Sequence, residues 1–243
     1  MLKLYGMEGL QNAVEAECKC AVKFSNTNMK PHHKIMHIDE HQGRTSALEY
    51  IADVYRENDI MDFSSSQDDY LELSFSGTYD NYQDEVSIVR RATDFANTYN
   101  GIVGIDAVKL IAHKQEAQWT EFLNFIKTIS KSAVIVFFVP AAEDKQIENY
   151  ISAIKSVVRN IDDMGCTNYT SKDYAQILKN YLHENGICIE VPTKTVEAVI
   201  CAKQIESVHE TLQLAEEVAE LVDFSVFPPV LSNKVLKTYG GIK

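Results

Sequence analysis

Several absences in this 243-residue chain narrow its function before any motif is read. No apolar run approaches the roughly 20 residues that a membrane-spanning helix needs, and the N-terminus has no signal-peptide pattern. The sequence therefore predicts a cytoplasmic protein with no membrane partner. Positive charge is scarce: 23 Lys and Arg stand against 35 Asp and Glu, a formal net charge of -12. Nucleic-acid binding depends on basic contacts to phosphate, so this balance argues against nucleic acid as a general partner. Cysteine is sparse and unpatterned. Cys18, Cys20, Cys166, Cys188 and Cys201 are an odd set with irregular spacing, as in a reduced cytosolic protein rather than a disulfide framework. Cys18 and Cys20 fall on an expected helix, where positions i and i+2 face different ways, so no zinc or redox pair follows. His33, His37 and His41 are evenly spaced, but the first two flank an expected strand and the third sits in a loop. Surface or hydrogen-bonded histidines are expected there, and no metal.

What is present is an ordinary globular composition, 45% apolar and 24% charged, with enough chain for one or two cored domains. The stretch His33 to Tyr55 organises it. Residues 34–38 form a short apolar run suited to a buried strand. Asp39 to Ser46 is a polar loop. Ala47, Leu48, Ile51, Ala52 and Tyr55 then recur at helical spacing. Strand, loop and helix in that order frame a phosphate-binding loop, G-x-x-x-x-G-K-[ST]. Half of that motif is present: Gly43, with Arg44 at the lysine position and Thr45 at the hydroxyl position, while Ile38 takes the place of the first glycine.

The rest of the chain alternates strand and helix patterns. A helix follows Gly9. Residues 70–75 alternate as a half-buried strand does. A helix is expected over 84–99. Strands are expected at 101–106 and 133–139, the second stopped by Pro140. Between them, Trp119, Phe122, Leu123, Phe125, Ile126 and Ile129 line one face of a core-packing helix. A helix covers 144–158. Beyond Gly165, Thr170 or Ser171 can cap a helix ending near Asn185-Gly186, one or two helices fill 193–222, and Phe227-Pro228-Pro229 reads as loop. Alternation of this kind predicts a parallel, three-layer α/β sheet.

The order and spacing of Gly6-Met7-Glu8-Gly9-Leu10, the His37 to Ile60 stretch, Gly101 to Asp106 and Ala133 to Val139 resemble the CbxX/CfxQ branch of the AAA+ ATPases, which includes red-type rubisco activases and a stage V sporulation protein K-like relative. The resemblance covers about residues 4–190. It implies a P-loop NTPase core over 1–163 and a small helical, lid-like region over 164–243. It also implies a vestigial phosphate and magnesium site at Gly43, Arg44, Thr45 and Asp106. Tyr79 or Tyr82 would be the remnant of a pore-facing aromatic loop, and Arg159 would lie near the family's interfacial arginine finger.

The chemistry at these positions has drifted. Ile38 and His41 stand where glycines let backbone N–H groups approach phosphate. A carboxylate of Asp39 or Glu40 within ~5 Å of a phosphate charge would be repelled by roughly 3 kcal/mol at an effective dielectric near 20, about a hundredfold in affinity. Arg44 keeps the charge of a lysine but not its shape. Ala107 replaces the glutamate that would activate water, so hydrolysis lacks a general base. The sequence thus predicts a degenerate AAA+ protein, a pseudo-ATPase that needs no cofactor. It would act as a protein-interaction scaffold or subunit with an active AAA+ relative or with itself. The alternative is a weak ATP-binding or ATP-hydrolysing, chaperone-like AAA+ regulator that takes ATP and Mg. With ligand absent, Arg44 is expected to turn toward Asp39 or Glu40.

Overall fold

The computed structural model describes residues 4–23, 30–61, 63, 68–75, 101–107, 110, 116–142, 144–225 and 227–242. Tyr79, Tyr82 and the helix expected over 84–99 lie outside the described residues. The chain divides into two units: residues 1–40 with 44–167, and residues 41–43 with 168–243. The first unit extends past residue 163 because a strand not expected from the sequence, Ile161–Cys166, joins its sheet.

In the first unit, helix α1 (Glu8–Lys23) precedes strand β1 (His33–His37), followed by α2 (Arg44–Glu57), β2 (Tyr70–Ser74), β3 (Ile102–Asp106), α3 (Glu116–Ile129), β4 (Val134–Val139), α4 (Lys145–Val157) and β5 (Ile161–Cys166). The five strands lie in the order β2-β3-β4-β1-β5, all parallel. Parallel strands need crossover connections, and helices in those connections cover the sheet faces. The middle strand β4 is accordingly apolar throughout, and every residue of it is buried. The stripe expected on α3 is core, with Phe122, Phe125, Ile126 and Ile129 packed in one cluster with Phe75, Ile105, Ile135, Phe137 and Tyr150. Helix α2 buries Ala47, Leu48, Ile51, Ala52 and Tyr55, as its spacing predicts. It approaches β3 closely because residue 104 is glycine. A Cβ there would lie 2.7 Å from Leu48 Cδ1 and 2.9 Å from Phe138 Cε2.

The second unit holds α5 (Ser171–Glu184), β6 (Cys188–Glu190), α6 (Thr193–Lys203), α7 (Val208–Ala219), β7 (Val230–Ser232) and α8 (Asn233–Gly240). Its helix starts are explicit in the sequence. Thr170 and Asp173 form a capping box on α5, and Ser207 and Glu210 form another on α7. Leu178, Leu182, Val199, Leu214, Leu231 and Leu236 are among its core residues. β6 and β7 pair in parallel, a small sheet that the sequence pattern did not reveal.

Candidate functional site

Parallel strands bring their C-terminal ends to one edge of the sheet, and in the first unit that edge carries Ile38, Asp106 and Phe138. Asp106 ends β3 and stands in register with Phe138 on one side and Ser74 on the other. Arg44 opens α2 and reaches back to this edge. Its Nη1 lies 2.5 Å from Asp106 Oδ2, and its Nη2 donates to the Ile38 carbonyl at 3.1 Å. The guanidinium carbon lies 5.3 Å from the centre of the Phe138 ring, within the range of a cation–π contact. Both charged side chains are well covered, at 12% and 19% exposure. Burying either charge unpaired is costly, so the pair forms where water is partly excluded.

The expected partner of Arg44 is corrected here: it is Asp106, not Asp39 or Glu40. Asp39 instead accepts the backbone N–H of Ala141 at 3.2 Å, and Glu40 is exposed. A carboxylate fixed at a buried strand end attracts the guanidinium more strongly than exposed loop acids screened by water. Thr45 is also engaged, its hydroxyl donating to Glu72 Oε2 at 3.2 Å. Thr45 and Asp106 therefore each have a protein partner. Ala107, beside Asp106, is fully buried.

His41, Gln42 and Gly43 belong to the second unit. Gln42 Nε2 donates to the Glu206 carbonyl at 2.8 Å, and the Tyr169 hydroxyl donates to the Gln42 carbonyl at 2.7 Å. Tyr169 stacks on Tyr174, whose hydroxyl donates to the Glu206 carbonyl at 2.7 Å. The N–H of His209 donates to the His41 carbonyl at 3.3 Å, with the two rings 5.4 Å apart. His41 adopts φ 67° and Gly43 φ 87°, the left-handed region that glycine enters freely and other residues enter at a cost.

A second polar cluster lies at the opposite, N-terminal edge of the first unit's sheet. Lys34 is fully buried, and its Nζ donates to both Glu17 oxygens at 3.1 and 3.0 Å and to Tyr55 Oη at 2.8 Å. Glu17 also accepts from the His32 N–H at 2.9 Å and from the Tyr55 hydroxyl. Burial pushes the Lys34 ammonium below its ordinary range, against the pull of Glu17, and pushes the Tyr55 phenol well up. Glu17, His32 and Asp162 offer donor atoms within 4.8 Å of one another, the spacing of a cation site. However, the Glu17 oxygens already take four hydrogen bonds, two of them from the Lys34 ammonium, so the cluster is a satisfied ion network. Beside it, His33 is a core residue rather than a surface histidine. Its Nδ1 accepts the Ile135 N–H at 3.0 Å, and burial pushes its pKa down to about 4.

The structure thus brings Arg44, Thr45 and Asp106 together in the first unit and places Gly43 in the second. Arg159 is exposed on the turn between α4 and β5, at the opposite sheet edge from Asp106. Sequence reasoning missed Glu72, Phe138 and the Gln42–Tyr169–Tyr174–Glu206 set. Glu72 was visible as a polar position on an alternating strand. Its register opposite Gly104, which aims it toward Thr45, depends on strand order and not on local pattern.

The structure resembles the Thermotoga maritima RuvB Holliday junction branch migration motor. The TM-score is 0.58 over 95% of this chain and 67% of that chain, at 12% identity. A single-substitution variant of that RuvB gives a TM-score of 0.60 over 97% and 69% of the two chains, at 13% identity. RuvB is an AAA+ ATPase, and a likeness at such identity is one of fold: a P-loop NTPase-type parallel α/β sheet with flanking helices, followed by C-terminal helices. No protein-family model matches the chain, and neither does any curated protein sequence. Among the described residues, no helix is long and apolar enough to cross a membrane.

Proposed function

We propose that this chain is a pseudo-ATPase: an AAA+ fold whose nucleotide site is closed by its own side chains and which acts as a protein-interaction scaffold or subunit. The observation that carries this reading is the Arg44–Asp106 pair, 2.5 Å apart and largely covered. A magnesium-bound triphosphate would need Arg44 turned out toward phosphate and Asp106 freed toward the cation, which means breaking a desolvated ion pair. The Thr45–Glu72 bond would have to break as well. Bound nucleotide would add its own charge stabilisation, but at a loop that offers Ile38 and His41 in place of glycines and exposes Asp39 and Glu40. The resemblance to the CbxX/CfxQ branch supports the same reading, since the drift falls on the catalytic positions.

The partners fitting this role are proteins: an active AAA+ relative or further copies of the chain, in the cytoplasm. Arg159 would serve a neighbour's site, a role that its exposure and its position at the sheet edge opposite Asp106 support. Tyr79 lies outside the described residues, and its pore-facing role rests on the resemblance alone. The RuvB motor named above acts on Holliday junctions. A net charge of -12 argues against carrying that substrate over to this chain. Titration of the purified chain with a fluorescent ATP analogue and Mg²⁺ tests the proposal. No saturable binding is expected up to millimolar nucleotide. Saturable binding lost on Asp106→Ala would establish the competing reading, a weak nucleotide-binding regulator, which the retained Thr45 and Asp106 favour.

A further inference from the structure

Three large apolar side chains stand open to water, all in the loop that links α7 to β7: Leu221 at 46% exposure, Phe224 at 62% and Phe227 at 94%. The loop is not loose chain. Val222 is buried at its start, and the Pro229 carbonyl accepts the Cys188 N–H at 2.8 Å at its end, where β7 joins β6. Between these anchors the Asp223 carboxylate accepts the N–H and hydroxyl of Ser225 at 2.9 and 2.6 Å, bonds that hold that carboxyl below its usual range. With these bonds on either side, Phe224 and Phe227 stay turned to water. Scattered exposed apolar residues are ordinary, but a cluster of aromatic ones on a fixed loop is the pattern of a docking element.

The charge around the loop selects the occupant. Glu216, Glu217, Glu220 and Asp223 stand at the C-terminal end of α7 and in the loop, and no lysine or arginine falls between Lys203 and Lys234. Glu216 and Glu217 accept from Tyr181 and Tyr239. Glu220 has no side-chain partner among the described residues, and it lies exposed within one residue of Leu221. An anionic lipid surface would be repelled by these acids, and a second, equally acidic copy of this loop would be repelled too. We propose that the exposed Leu221, Phe224 and Phe227 form a docking site for a basic, amphipathic polypeptide segment. The partner's apolar side chains would cover Phe224 and Phe227, and its lysines or arginines would pair with Glu220 and Asp223. This sharpens the protein-interaction role proposed above by naming the surface and the chemistry of the partner. It does not depend on the state of the nucleotide site, so nucleotide binding by the first unit would defeat that reading and leave this one standing.

The test uses the full chain and a fluorescein-labelled helical peptide of alternating leucine and lysine faces, with a leucine–glutamate version as control. Anisotropy titration is expected to show saturable binding of the lysine peptide, weakened by added salt, and none of the glutamate peptide. Phe224→Ser/Phe227→Ser should weaken binding about tenfold or more, and Glu220→Lys should weaken it less. Because the serine variant keeps the net charge, attraction to an acidic protein in general would leave its affinity unchanged, and that result would overturn the proposal. Thermal melting verifies that the variant is folded. Should it melt early, Leu221→Ser serves in its place with the same expectation. The proposal is also overturned if the variant instead loses binding to 4:1 phosphatidylcholine–phosphatidylserine vesicles, or loses self-association by analytical ultracentrifugation. Those outcomes would assign the loop to a lipid surface or to a second copy.

Discussion

Arg44 has three partners at once: the Asp106 carboxylate, the Ile38 carbonyl and the face of Phe138. A planar guanidinium can satisfy all three, and an ammonium cannot. Replacing it by alanine removes the guanidinium from beside a carboxylate that stays largely covered. The expected cost of Arg44→Ala in urea unfolding is about 2 kcal/mol, less than for a fully buried pair because water still reaches both groups. Arg44→Lys should cost about half of that and should not create nucleotide affinity. An unchanged urea midpoint for Arg44→Ala would mean that the pair contributes nothing in solution. His33 makes a second residue-scale prediction, on pH. Burial lowers its pKa to about 4 in the folded chain, from the ordinary 6.5. Between those values the unfolded chain binds the proton more readily, so folding stability falls as pH falls. The loss starts near pH 6.5 and is complete below about 4. From pH 7 to pH 5 this one group should remove about 2 kcal/mol. His33→Gln should flatten that limb of the stability–pH curve.

At the scale of elements, the contact of α2 with β3 and β4 depends on a missing side chain. Gly104→Ala would drive a methyl group to 2.7 Å from Leu48 Cδ1 and 2.9 Å from Phe138 Cε2. Both neighbours are buried in tight packing, so neither can swing aside freely. A destabilisation of about 1–3 kcal/mol is expected by chemical denaturation, partly relieved by Leu48→Ala in the same chain. This glycine was legible only as part of an apolar strand; its packing role depends on which helix crosses it. The same limit explains the other differences between sequence and structure. β1, β2, β3 and β4 were legible because apolar runs and alternation are local signals. The capping boxes of α5 and α7 were equally local. β5 carries Asp162, Asp163 and Gly165 and alternates poorly, so only its pairing with β1 makes it a strand. β6 and β7, three residues each, are too short to show a period. Arg44 and Thr45 were singled out by the half-motif after β1, and Asp106 by the resemblance alone. Their closure on one another and on Glu72 was not, because it depends on register between segments far apart in sequence.

For the whole molecule, the issue is whether nucleotide is part of the folded state. Any ligand that binds the native chain and not the unfolded one stabilises it by RT ln(1 + [L]/Kd), about 2.7 kcal/mol at a hundredfold excess over Kd. A chain of this size gains roughly 2–4 °C in melting temperature per kcal/mol. A working AAA+ site would therefore raise the melting temperature by several degrees in millimolar MgATP. In this chain Arg44 already fills the place of bound charge against Asp106, and Glu72 holds Thr45. The expected shift with MgATP or MgADP is thus less than a degree and no larger than with the same ionic strength of sodium sulfate. Phosphate release should stay at background, because Ala107 offers no base to a water and lies fully buried. A shift of several degrees specific to MgATP and abolished by Asp106→Ala would show that the Arg44–Asp106 pair opens for ligand. The closed site would then be a resting state of a nucleotide-binding protein, and the pseudo-ATPase reading would fall. With no shift, the stability of the fold is independent of nucleotide, as a scaffold requires.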